Sequence, residues 1–257
     1  MKSRLLWIVG MLCAASLLGC GRAEKPPFIV YCGAGLRPPV AEIIDTFEKL
    51  ENVNVEPIYT GSGLLLAQIT LGRKGDIYIP GDQFFMKQAE DKGFITRQVN
   101  AAWWIPVIGV QKGNPKKIAG LADLAREDLK VGLGEAKSCA IGRSSAVMLE
   151  RAGLADKVKP HVTTATVNEL GNYLKLGTLD AAIIWDAVAK FYPQEVDAIP
   201  IDPAVREVCS VPVGVLKFTS HPALADAFLE FIAGDEGKAI FRKHGYTLTL
   251  DEKESGR

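Results

Sequence analysis

The 257-residue chain carries 30 Lys and Arg against 30 Asp and Glu, so no net field draws it onto nucleic acid or an anionic membrane surface. Hydrophobic residues make up 48% of it, enough for real cores in one large or two medium domains. Its three histidines are scattered and its five cysteines form no CxxC, which excludes the ligand spacing of a zinc-type site.

Lys2 and Arg4 precede a nearly all-apolar run from Leu5 to Ala15 that stops at Leu17-Leu18-Gly19-Cys20. The run is shorter than the ~20 apolar residues of a membrane span and reads as an export signal. Leu17, Gly19 and Cys20 resemble a bacterial lipobox. Residues 1–20 are therefore expected to be a signal peptide ending at a lipidated Cys20, with 21–27 as a tether. That places the protein in the periplasm or at the cell surface. Removing residues 1–19 leaves 28 basic side chains against 30 acidic ones, so the charge balance persists. Cys32, Cys139 and Cys209 remain. An odd number in an oxidising compartment allows at most one disulfide and leaves at least one free thiol.

Strand-like and helix-like segments then alternate. "FIVYC" (28–32) reads as a buried strand, and Val40, Ile43, Ile44 and Phe47 repeat at helical spacing behind it. Pro38 and Pro39 suit that helix's first turn. "VNVEPIY" (53–59) is a second strand, with Pro57 indicating an edge. A helix follows Ser62, then "DIYIP" (76–80) as a strand, then a helix capped by Asp82 and ended by Gly93. "AAWWIPVIGV" (101–110) is a long apolar strand leading to a KGNP turn. A second series follows: "KVGLG", "IGRSSAVMLERAG", "VTTAT", "VNELGNYLKLG", "DAAIIW". "SVPVGVLKF" (210–218) is another long apolar strand, and two helices close the chain before the polar tail "DEKESGR".

Repeated β–α units predict an α/β fold with mainly parallel sheets. The two long apolar strands are expected to cross between two lobes, 28–105 plus 213–257 and 106–212, with a cleft between them. Three loops rich in small residues lead from strands into helices: "CGAGLRPP" (32–39), "TGSG" (60–63) and "GEAKSCAIGRSS" (134–145). Helix N-termini offer unpaired N–H groups and the positive end of the dipole, which together favour an anion. Taken singly, each loop is more often a tight turn with an N-cap; all three feeding one cleft would be far more specific. Arg37 and Arg143 sit beside them, either as solvated first-turn residues or as bidentate anion partners. Trp103 and Trp104 fill the crossing strand, and helix capping accounts for Asp82 and Asp186. No GxSxG, HExxH or GxxxxGK[ST] occurs, and Ser62 has no evident base, so catalysis is not suggested.

The segments "TGSGLLLAQI", "GDIYIPGDQFFMKQAEDKGFI", "PVIGVQKGNP", "GRSSAVMLERAGL", "LDAAIIWDAVAKF" and "FLEFIAGDEGKAIFRKHGY" resemble the periplasmic molybdate-binding proteins of ABC importers, over residues 28 to 247. The resemblance implies a type II periplasmic-binding-protein fold that closes on a tetrahedral oxyanion, molybdate or tungstate. It further implies a monomer that needs no cofactor and hands its ligand to permease and ATPase subunits. That family holds its anion with hydroxyl and backbone N–H donors. Its donor positions fall on Ala34 and Gly35 in the first loop and on Gly61 and Ser62 in the second. In the other lobe they fall on Ile141, Val167 and Trp185.

Two of these depart from the pattern. Gly35 has no hydroxyl, and Trp185 stands where the family has a tyrosine, with only an indole N–H to give. Losing a donor to a buried dianion costs ~1.5–3 kcal/mol. The same fold could therefore hold a phosphate- or sulfonate-like anion, or a soft metal through Cys32 and Cys139. An oxyanion-sensing lipoprotein would differ only in its partner.

Overall fold

The computed structural model of the protein describes residues 26–250; the expected export signal, the expected lipidation site Cys20 and the polar tail lie outside them. Strand β1 (Phe28–Gly33) alternates its two faces, as a strand buried on both sides must. Phe28, Val30 and Cys32 join one apolar cluster, while Tyr31 joins the other. The first cluster takes the buried stripe of α1 (Arg37–Glu51), namely Val40, Ile43, Ile44 and Phe47. Phe47 meets Phe228 edge-on at 5.0 Å. The opposite cluster takes α2 (Ser62–Gly72) through Leu65, Leu66 and Ile69, and α3 (Gln83–Asp91) through Met86 and Ala89.

The first sheet has the order β2-β1-β3-β10-β4, with β2 spanning Val55–Thr60, β3 Ile77–Ile79, β4 Ile95–Trp104 and β10 Cys209–Leu216. Pro57 lies on β2, an edge strand, where a missing N–H is tolerated. The second sheet has the order β7-β6-β8-β5-β9, with β5 at Pro106–Gln111, β6 at Val131–Gly134, β7 at Val162–Thr164, β8 at Ala181–Trp185 and β9 at Val196–Pro200. Its helices are α4 (Ala140–Arg151), α5 (Val167–Lys175) and the short α6 (Asp186–Ala189). Helices α7 (Pro222–Ala233) and α8 (Asp235–Lys243) return to the first lobe, beside α1.

The two-lobed α/β plan holds, but the sheets are mixed rather than mainly parallel. Strands β1, β2 and β3 pair in parallel, as do β6, β7 and β8, whereas β10 and β5 pair antiparallel to their neighbours. The antiparallel strands lie next to the crossings, where the chain enters a sheet from the other lobe. The apolar stretch 101–110 is two strands in two different sheets, meeting at Ile105. The return crossing occupies 201–208, since β10 joins the first sheet from Cys209.

Asp186 clamps the first crossing. Its carboxylate accepts the Ile105 N–H at 3.0 Å, and its own N–H donates to the Ile105 carbonyl at 2.8 Å. Asp186 is therefore a hinge clamp at the first residue of α6, not the helix cap expected from sequence. In each lobe the three parallel strands, β1 to β3 and β6 to β8, stand in the order second, first, third. That order creates a switch point, and the loops at the carboxyl ends of the strands gather there.

Candidate functional site

The two switch points face each other. From the first lobe come the 3-10 turn Ala34–Leu36 after β1, Gly61-Ser62 after β2, and Gly81 after β3. From the second come Cys139 and Ala140 at the start of α4, Thr166 and Val167 at the start of α5, and Trp185 at the end of β8. These loops enclose a cavity of about 20 Å³. All seven positions singled out in the sequence, Ala34, Gly35, Gly61, Ser62, Ile141, Val167 and Trp185, line it. Every lining residue is uncharged.

Ser62 is buried, and its hydroxyl oxygen accepts the Gly81 N–H at 2.9 Å, leaving its own proton to donate. Its carbonyl accepts the Tyr78 hydroxyl at 2.9 Å. The glycines around it do more than expose backbone. The Gly63 N–H donates across the cleft to the Ser138 carbonyl at 3.0 Å. A Cβ on Gly63 would lie 2.1 Å from the Lys137 carbonyl oxygen, and one on Gly61 would lie 2.5 Å from the carbonyl oxygens of Ser138 and Ala165. These neighbours are backbone of the opposite lobe and cannot swing aside. Gly-Ser-Gly is thus the place where the lobes touch main chain to main chain. Of its N–H groups, that of Gly63 serves the other lobe.

The departures at Gly35 and Trp185 are parts of one arrangement. Trp104 and Trp185 stack with centroids 4.5 Å apart and planes 9° apart. Tyr246 packs on the far side of Trp104 at 5.6 Å and donates its hydroxyl to the Gly35 carbonyl at 2.7 Å. A Cβ on Gly35 would lie 2.7 Å from Val167 Cγ1 and 3.2 Å from Trp104 Cζ3. The space of a side chain at 35 is therefore filled by Val167 and the Trp104 indole. The Trp104 indole N–H donates to the Gly81 carbonyl at 2.8 Å. That of Trp185 has no acceptor among the described residues, so it is the donor this wall retains.

Cys139 is the N-cap of α4 and lines the cavity, whereas Cys32 turns its sulfur to the Gly33 carbonyl at 3.5 Å and does not. The pair expected to grip a soft metal is not assembled around the cavity. Burial pushes the Cys139 thiol up to about 12, against the pull of the Gly142 and Ile141 N–H groups. Burial alone pushes the Cys32 thiol well up. Cys32, Cys139 and Cys209 are all free and buried. Protonated thiols are poor metal ligands, and no group of three or more His, Cys, Asp or Glu among the described residues is placed to hold a metal ion.

Neither arginine reaches the cavity. Arg37 is exposed, with its guanidinium 5.2 Å from the Tyr59 ring. Arg143 is paired with Asp82 and Glu207. Asp82 does cap α3, accepting the Phe85 N–H at 3.1 Å. Three lining residues, Gly81, Trp104 and Thr166, lie outside the loops singled out in the sequence. Thr166 was legible, because Thr166-Val-Asn-Glu169 is a capping box, and Thr166 and Glu169 bond each other reciprocally. Gly81 was marked only by its place after a strand. Trp104 carried no signal separating a cavity wall from a crossing strand.

The whole described fold has known counterparts. Residues 28–247 match the family model described as bacterial extracellular solute-binding protein. A binding protein of Haemophilus influenzae is 28% identical over 221 residues, 84% of this chain and 89% of its own length. The molybdate-binding protein ModA of Mycobacterium tuberculosis is 27% identical over 252 residues, 93% of this chain and 95% of its own length. Among solved structures, the sulfate-binding protein SubI of the same organism superposes with a TM-score of 0.76 at 15% identity, covering 90% of each chain. The resemblance to molybdate-binding proteins read from the sequence is borne out by these comparisons. The chain belongs to the bacterial extracellular solute-binding protein family, whose members bind solutes rather than transform them.

Proposed function

We propose that the protein captures a small tetrahedral oxyanion, molybdate or tungstate first, between its lobes and delivers it to the permease and ATPase of an importer. Its anchor would be the lipid on Cys20. One observation carries this reading: three helix N-termini, those of α2, α4 and α5, converge from two lobes on a cavity with no charged side chain. Such a site offers N–H and hydroxyl donors and positive helix ends, and nothing that would hold a cation. The donors are the Ser62 hydroxyl, the Trp185 indole N–H and backbone N–H groups at the openings of α2 and α4.

A cavity of about 20 Å³ is the size of a single water. Capture of an anion therefore spreads the indole pair from the helix ends as the lobes part and reclose. The flat indole wall and the missing hydroxyl at Gly35 favour a second reading, an anion with one corner that accepts no hydrogen bond, such as a sulfonate.

Thermal unfolding of residues 27–257 against molybdate, tungstate, sulfate, phosphate and methanesulfonate separates these readings. A ligand at 100 times its dissociation constant adds ~2.7 kcal/mol, roughly 5–11 °C for a chain of this size. A shift with molybdate or tungstate supports the first reading, and a shift with methanesulfonate alone supports the second. No shift with any of the five overturns the oxyanion assignment.

A further inference from the structure

We propose that Arg143 is a positioning residue for ligand capture: a clasp that holds the second-lobe helix α4 in register with Ser62 of the first lobe. The inference rests on the oxyanion reading only for its second measurement. Arg143 lies two residues beyond Ile141, at the cavity end of α4. Its Nε donates to Asp82 Oδ2 at 2.7 Å, and another guanidinium nitrogen meets Glu207 Oε2 at 2.8 Å. Asp82 belongs to the first lobe and Glu207 to the return crossing, so one cation ties three parts of the chain together.

The contact is built rather than incidental. Asp82 is almost wholly buried, and its other oxygen is already committed to the Phe85 N–H, which fixes the direction of the carboxylate. The ring of Phe84 covers the guanidinium at 5.2 Å, sheltering the pair from water and strengthening it. A flickering surface pair would contribute little. This one has both a fixed acceptor and a cover.

The clasp also leads to the ligand donors. Asp82 directly follows Gly81, whose N–H donates to the Ser62 hydroxyl and whose carbonyl accepts the Trp104 indole N–H. A pull on Asp82 therefore moves the groups that orient Ser62 and the indole pair. On the other side, Arg143 sits on the first turn of the helix whose N-terminus carries Ile141. Each lobe's donor is thus within a few bonds of one end of the ion pair.

The test uses Arg143→Met, which keeps the length and removes the charge; Asp82→Asn, which keeps the cap; the two combined; and Arg143→Lys. Small-angle scattering without added ligand reads the separation of the lobes, and stopped-flow tryptophan fluorescence reads molybdate dissociation. Circular dichroism establishes that each variant is folded, and Arg143→Lys, which retains the charge but not the fork, gives an intermediate. Arg143→Met and Asp82→Asn should each enlarge the radius of gyration and speed dissociation tenfold or more, and the double variant should be no worse than either. Unchanged scattering with unchanged dissociation overturns the clasp, as do effects that simply add in the double variant. Enlarged scattering in a protein that binds no oxyanion leaves the clasp standing and removes the oxyanion reading instead.

Discussion

Trp104 and Trp185 lie face to face at 4.5 Å, one from the strand that leaves the first lobe and the other from the end of a strand in the second. A stacked pair contributes ~0.5–1.5 kcal/mol beyond the area it buries, so the cavity wall is also a joint between lobes. Gly35 is the counterpart of that joint. A side chain there would meet Val167 and Trp104. Gly35→Ser should therefore cost ~1–3 kcal/mol as overpacking, despite restoring a family hydroxyl. Val167→Ala should relieve most of that cost, because Val167 Cγ1 makes the closest contact. Urea unfolding of the two single variants and the double reads the coupling. Additive costs would mean that the position relaxes in some other direction.

Gly63 makes a sharper test of how closely the lobes meet. Its added Cβ would lie 2.1 Å from the Lys137 carbonyl oxygen, and main chain on the opposite lobe cannot yield by changing rotamer. Gly63→Ala should hold the lobes apart and weaken anion binding tenfold or more in titration calorimetry. Helicity should stay near that of the parent, because each sheet keeps the helices packed against it. An unchanged dissociation constant would show that the captured state is more open than this one.

Ser62 carries the prediction most directly tied to anion capture. Its hydroxyl accepts from Gly81 and so has its proton free for a ligand. Ser62→Ala removes a donor to a charged acceptor, about 1.5–3 kcal/mol or tenfold and more in affinity. Trp185→Phe should have a smaller effect of the same sign, since it removes the indole N–H but keeps a ring against Trp104. Calorimetry with molybdate reads both, and equal affinity for all three proteins would move the ligand out of this cavity.

The fold was legible because its periodicities are strong. Val40, Ile43, Ile44 and Phe47 mark the buried stripe of α1, and all four are buried. The crossing strand was legible as apolar but was read as one strand, although Pro106 is a local mark of a break after Ile105. What divides β4 from β5 is the reciprocal bond with Asp186, distant in sequence. The seven cavity positions followed from small residues at strand ends and from the family resemblance. The reason for the glycines at 61 and 63 did not, since it is the approach of Lys137, Ser138 and Ala165 from another lobe. Arg143 was likewise ambiguous: its two partners, Asp82 and Glu207, are far from it along the chain, and no helical spacing predicts them.

Acid should loosen the second-lobe side of the Gly63–Ser138 contact through Glu135. The Ser138 hydroxyl and neighbouring N–H groups hold the Glu135 carboxyl below the usual carboxylate range, with contacts of 2.6 and 2.7 Å from Ser138. Ser138 in turn presents the carbonyl that receives the Gly63 N–H. A lowered folded value means that Glu135 contributes stability above the ordinary carboxylate value of about 4.3. That contribution is lost as pH falls through the lower value of the folded state. Asp82 acts with the opposite sign, because burial raises it against the pull of Arg143, so its protonation offsets part of the loss. Denaturation midpoints of the parent and Glu135→Gln should therefore differ at pH 7, with the parent higher, and draw together as pH falls below the ordinary carboxylate value of about 4.3. Parallel curves across that window would show that the 135–138 turn is held by its backbone bonds alone.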